Sequence, residues 1–329
     1  MYFCRLLSIK NMLVNKKTNT SFPEFTDYLK KIFPYFKVQK ISIDAGFTCP
    51  NRDGTKGHGG CTYCNNRTFS PEYCNNTKSI TQQLREGIHF FSHKYPEMKY
   101  IAYFQSYTNT YGTFDTLKKK YEEALETKEV VGIIIGTRPD CVPDELLDYL
   151  EELSRRTFVM IEYGIESTSD ETLRNINRGH TYQEAADAVR RTAMRGIPTG
   201  AHIILGLPGE TREQIFTHAD RISELPLTSV KLHQLQIIRG TAMEREYEAF
   251  PERFTMYTVD DYISLVLGFI TRLRKDIYID RFVSQSPKEL LIAPNWKLKN
   301  HEFRAKIEHS LPLGEGWGGA SLLFNHHLL

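Results

Sequence analysis

Past residue 40 the chain alternates short apolar runs with amphipathic stretches, and no other feature narrows its possible folds as far. The apolar runs predict strands over 40–45, 100–105, 130–136, 158–165, 200–205 and 229–238, with a last one over 277–282. Apolar residues at helical spacing predict helices over 79–95, 113–125, 143–155, 182–195, 211–224 and 258–275. Local signals agree: Pro143 sits in a first turn, Gly196 and Pro198 stop a helix, and Thr211 with Gln214 can form a capping box. The run over 130–136 (VVGIIIG) is apolar throughout, as a strand buried on both faces requires. About six β/α units with short connections predict a parallel sheet with helices outside it. The pattern alone does not separate an open doubly wound sheet from a closed or partial barrel.

The repeating core is expected over 41–282, with an N-terminal extension over 1–40 and a C-terminal extension over 283–310. Residues 311–329 are Gly-rich, nearly uncharged and aperiodic, and are expected to form a disordered tail. A net charge of +2 gives no global argument for nucleic acid or membrane. Its distribution says more: residues 1–60 carry ten Lys/Arg against four Asp/Glu, and residues 272–306 carry nine against four. Basic ends on an acidic body suit an RNA or phosphate partner, and equally an ordinary solvated surface. No apolar run reaches the ~18 residues that span a membrane. The first ten residues lack the long apolar region and cleavage site of a signal peptide. The expectation is a cytoplasmic protein with no membrane partner.

Three of the six cysteines, Cys49, Cys61 and Cys64, follow the first predicted strand at C-x11-C-x2-C spacing. Their loop contains Gly54, Gly57, Gly59 and Gly60. Thiolates ligate iron–sulfur clusters, a Gly-rich loop can wrap closely around an inorganic cube, and loops after barrel strands are where active sites sit. Three ligands instead of four leave one iron open for chemistry, as at a catalytic zinc. The alternative is a closed Cys4 zinc site completed by Cys74, in a zinc-stabilised RNA-binding protein. A zinc ribbon is a small β module, whereas this loop opens a long β/α array. Cys4, Cys74 and Cys141 show no paired spacing and read as small buried hydrophobes, so a second cluster is not expected.

Two acids on the fourth predicted strand, Glu162 and Glu166, fall on one face by the period of two and are expected to point into the barrel. Inward acids are costly unless paired or serving a ligand.

The motif Cys49-Pro-Asn-Arg-Asp-Gly, followed by Gly59-Gly60-Cys61-Thr-Tyr-Cys64, resembles the radical S-adenosylmethionine (SAM) proteins of the YhcC/YtqA type, relatives of the Elongator catalytic subunit. The resemblance runs from about residue 40 to 307. It implies an α/β fold, a partial (β/α)6 TIM-type barrel, with a [4Fe-4S] cluster on Cys49, Cys61 and Cys64. SAM then chelates the open iron, and its reductive cleavage yields methionine and a 5′-deoxyadenosyl radical that abstracts hydrogen from a substrate. Tyr63 matches the aromatic beside the SAM adenine, or simply packs beside the cluster. The usual Gly-Gly-Glu-like motif for the SAM amino group is replaced by Phe104-Gln105-Ser106, leaving Gln105 and Ser106 as candidates. The nearby Thr108-Asn109-Thr110 reads equally as a helix-capping loop. Glu166 stands where relatives carry a Gln to the ribose, a contact a carboxylate also makes. Arg178, in Asn177-Arg178-Gly179-His180, matches the arginine that pairs with the SAM carboxylate. Gly206-Leu-Pro-Gly-Glu-Thr resembles the turn packed on the adenine, which backbone atoms near Leu235 and Gln236 also reach. Lys231 and His233 share a face and line the cavity, contact substrate or stay in the core. By the same resemblance the substrate is the wobble uridine of tRNA, and the electron donor is of the flavodoxin or ferredoxin type.

Overall fold

In the computed structural model, which describes residues 22–68, 70–92 and 97–311, the alternation becomes one parallel seven-stranded sheet. Its strands are β1 (Val38–Ile43), β2 (Lys99–Phe104), β3 (Val130–Thr137), β4 (Phe158–Glu166), β5 (Thr199–Leu205) and β6 (Ser229–Gln234). After the two-residue β7 (Ile237–Ile238), β8 (Tyr278–Arg281) completes the sheet in the order β1-β2-β3-β4-β5-β6-β8. Each strand lies beside its predecessor and the sheet curls into a half-barrel, open between β1 and β8. β7 pairs antiparallel with β9 (Leu291–Ala293) in a separate ribbon.

Ten helices are described: α1 (Phe25–Ile32), α2 (Ile80–Ser92), α3 (Phe114–Leu125), α4 (Asp144–Ser154), α5 (Asp170–Asn175), α6 (Tyr182–Met194), α7 (Arg212–Ser223), α8 (Ala242–Ala249), α9 (Val259–Arg272) and α10 (Asn300–Ser310). Capping boxes start α6 (Thr181 with Glu184) and α7 (Thr211 with Gln214), satisfying backbone donors that a helix start leaves free.

Strand parity separates two faces. Ala102 and Phe104, Ile133 and Ile135, Ile161 and Tyr163, Ala201 and Ile203, and Val230 and Leu232 face outward into the main core beneath the helices. Their alternates Ile101, Tyr103, Ile134 and Met160 face inward, where Phe25 and Leu29 of α1 close the bottom of the half-barrel. The segment assigned to an N-terminal extension therefore supplies this plug and the start of β1. Within β3, Gly132 interrupts the β-branched run because a Cβ there would lie 2.4 Å from the Phe158 carbonyl oxygen.

The single strand expected over 229–238 is broken. After Gln234 the backbone leaves the sheet, and the Gln234 amide exchanges two hydrogen bonds with the Ser284 backbone (2.9 and 2.7 Å). Leu235 N–H still donates to Leu205 O (3.0 Å), the last bond to β5, and Gln236 lies beyond the ladder. Residues 1–21 and 312–329, with Cys4 and nearly all of the expected disordered tail, lie outside the described residues, as do 93–96, where α2 was expected to continue. Among the described residues no helix is long and apolar enough to cross a membrane.

Candidate functional site

The inner face opens into a cavity at the C-terminal ends of the strands, and Cys49, Cys61 and Cys64 all line it. Their loop is tied to itself by Arg52 N–H to Cys49 O (2.8 Å), Gly60 N–H to Asn51 O (2.9 Å) and Cys64 N–H to Cys61 O (3.0 Å). Gly59 and Gly60 take φ of +79° and +82°, the left-handed conformation that lets the loop fold back. The three thiols are free, and donors surround them. Arg178 Nη1 lies 3.6 Å and Asn51 Nδ2 3.7 Å from Cys61 Sγ, and Asn66 Nδ2 lies 3.8 Å from Cys64 Sγ. Burial pushes the Cys64 thiol up to about 11. Such donors suit metal-bound thiolates, whose charge they stabilise.

Among the described residues no three His, Cys, Asp or Glu side chains converge as ligands of one ion. A cube asks for less convergence, since each thiolate binds its own iron, whereas tetrahedral zinc draws every sulfur to ~2.3 Å of a single point. Cys74 lines a neighbouring cavity with Asp44 and Ser70, whereas Cys49, Cys61 and Cys64 line the main one.

Beside the trio, β4 carries a bulge between Gly164 and Glu166, and Glu166 adopts φ +68°. Both Glu162 and Glu166 line the cavity as expected, but Glu166 arrives there through this strained turn, not through strand alternation. Burial pushes the Glu166 carboxyl up and Arg178, 3.7 Å away, opposes it. Arg178 Nη2 donates to Gly164 O at 2.6 Å. A Cβ on Gly164 would lie 2.5 Å from Glu166 Oε1 and 2.6 Å from Arg178 Nη2, so glycine here makes room for both. Arg138, fully buried, is held by both oxygens of Asp140 at 3.0 Å. Burial raises the Asp140 carboxyl, but Arg138 and Lys56 bring it down to about 2. Arg178 Nε, Arg138 Nη1 and Thr108 Oγ1 are buried with no partner. Orphaned donors on one wall, with thiols at one end, fit a cube and a zwitterionic polar ligand.

The floor is ionic. Glu162 Oε2 accepts from Lys231 Nζ (2.6 Å), Tyr103 Oη (2.7 Å) and His202 Nε2 (2.8 Å), and Oε1 accepts from Lys40 Nζ (3.2 Å). Asp280 pairs with the same two lysines at 2.8 and 3.2 Å. Burial would raise the Glu162 carboxyl, yet Lys231, Lys40 and His202 hold it well below the usual range. His202 is pushed down to about 4 by burial and by Lys231, and so is neutral.

With this geometry in view, residues 51–222 match the Radical SAM superfamily model and residues 227–312 the Radical SAM C-terminal domain. YtqA of Bacillus subtilis is 36% identical over 84% of this chain and 85% of its own length. The chain belongs to the radical SAM superfamily. YhcC of Escherichia coli is 35% identical over 79% of this chain and 82% of its own. Elongator complex protein 3 of Homo sapiens is 31% identical over 45% of this chain but only 26% of its own length. Among solved structures, the archaeal Methanocaldococcus infernus Elp3 superposes with a TM-score of 0.63 at 15% identity, covering 83% of this chain and 62% of that one, a likeness of fold.

In this radical SAM protein the cavity gathers Cys49, Cys61, Cys64, Tyr63, Gln105, Glu166, Arg178, Leu235 and Gln236. Ser106 and Gly206 do not line it. Ser106 is buried with its hydroxyl 3.3 Å from that of Ser70. Gly206 (φ +91°) faces Tyr257, whose ring lies 2.9 Å from where its Cβ would be. Glu210 of the same turn is locked to Ser167 (2.6 Å) and His218 (2.9 Å) instead. Of the face shared by Lys231 and His233, His233 lines the cavity and Lys231 pairs beneath it.

Sequence reasoning missed Asn51, Arg52, Arg138, His202, Arg281, Ser284 and Ser286. Asn51 and Arg52 lie inside the quoted cysteine motif. Arg138 directly follows β3, Arg281 ends β8, and His202 interrupts the middle of β5, ionisable residues in or beside strands and a signal available but not used.

Proposed function

We propose that this enzyme holds a [4Fe-4S] cluster on Cys49, Cys61 and Cys64, binds SAM along the adjoining wall, and modifies the wobble uridine of tRNA. The observation that supports the reading best is the joining of three free thiols to a wall of orphaned buried donors. When bound, cluster and SAM together supply the electron and the sulfonium whose cleavage furnishes a hydrogen-abstracting 5′-deoxyadenosyl radical.

The chain's own residues do the positioning. Arg178 presents its guanidinium to the SAM carboxylate. Glu166 accepts from the ribose hydroxyls, and Gln105 serves the amino group. Tyr63 and the backbone at Leu235 and Gln236 flank the adenine. Ser106 and Gly206 support the loops behind this wall. An electron donor of the flavodoxin or ferredoxin type reduces the cluster.

The tRNA assignment draws on the likeness to Elongator complex protein 3 and on the basic ends of the chain. Its test is mass spectrometry of nucleosides from total tRNA of a deletion strain. One wobble-uridine derivative should fall severely and recover on complementation. Unchanged levels of every modified nucleoside would refute the tRNA assignment.

A further inference from the structure

The cavity contains a guanidinium, that of Arg281, which no carboxylate of the described residues pairs. Lys40 and Lys231 both pair with Glu162 and Asp280. Arg281 lies at the end of β8, the opposite edge of the half-barrel from the cysteine loop, and lines the same cavity. Among the described residues no carboxylate lies within ion-pair distance of it. Its Nη2 rests against the His233 ring (2.9 Å to Nε2, 3.2 Å to Nδ1), and its buried Nε has no partner. Burial and Arg281 itself hold His233 well below its ordinary range, and burial pushes the neighbouring His202 down to about 4. Gln236 and the hydroxyl of Ser286, which are bonded to one another at 2.8 Å, line the same end.

A guanidinium whose buried Nε has no partner is costly unless a ligand completes it. The fork matches oxyanions. We propose that Arg281, oriented by His233, binds an oxyanion on the substrate, a carboxylate or a phosphate, and so sets which end of the substrate enters the chamber. The inference rests on reading this cavity as the substrate chamber, and it does not require the substrate to be tRNA.

The test compares wild type with Arg281→Gln, using cluster-loaded protein saturated with SAM and without reductant, so that Arg178 is already occupied. Thermal unfolding is followed in chloride buffer and with phosphate or acetate at tens of millimolar and matched ionic strength. In chloride the variant should melt at or above the wild-type temperature, because it sheds an uncompensated charge. Phosphate or acetate should raise the wild-type midpoint by roughly 2–4 °C and leave the variant unmoved. A response to phosphate alone assigns a phosphate, a response to acetate alone a carboxylate, and a response to both a general oxyanion site. The proposal is overturned if the variant melts lower in chloride, if it keeps the anion response, or if wild type shows none. Failure of the cofactor reading would instead appear earlier, as protein that takes up no cluster.

Discussion

Glu162→Gln should destabilise the protein by about 3–5 kcal/mol, the usual effect of removing one partner from a buried charge network. One oxygen of Glu162 collects a lysine, a tyrosine hydroxyl and a histidine, and the other collects a second lysine. Glutamine keeps the shape but leaves Asp280 as the sole anion for both lysines. The Glu162 carboxyl is held well below its ordinary 4.5, so its contribution is fully present above that value. It is lost only as pH falls through the lower folded-state value, and the deficit is therefore complete at neutral pH. Denaturant unfolding at pH 7 measures it, with a melting shift of roughly 10 °C as a second readout. A change below ~1 kcal/mol would mean that Glu162 does not organise the floor.

Arg178→Lys should weaken SAM binding by roughly 10- to 150-fold, the equivalent of the ~1.5–3 kcal/mol carried by a hydrogen bond to a charged group. Lysine preserves the charge but loses the planar fork and the geometry that reaches Gly164 O while leaving Nε free. Calorimetric titration of SAM into unreduced, cluster-loaded protein reads the affinity. Cluster absorbance, which should persist, shows that the thiols are undisturbed. Wild-type affinity in the variant would remove Arg178 from the SAM carboxylate.

Much of this fold was legible because its signals are local. The continuous apolar run of β3 and the capping pair Thr211 and Gln214 follow from side-chain period and turn chemistry alone. The grouping of the three cysteines at one cavity was legible for the same reason, since they and their glycines share one loop. What escaped was set by tertiary contact. The exit of the chain from the sheet after Gln234 depends on Ser284, fifty residues away. The turn at Glu166 is a bulge that no period announces. The floor joins Lys40, Glu162, Lys231 and Asp280 from four strands, and only the curling of the sheet brings them together.

The most direct test of the central claim is the formation of 5′-deoxyadenosine. The protein is reconstituted anaerobically with iron and sulfide, reduced with dithionite in the presence of SAM, and the products are separated by chromatography. The account predicts cluster absorbance and 5′-deoxyadenosine from wild type, and neither from Cys61→Ala. Wild-type protein that retains one zinc per chain, shows no cluster absorbance and yields no 5′-deoxyadenosine would contradict it.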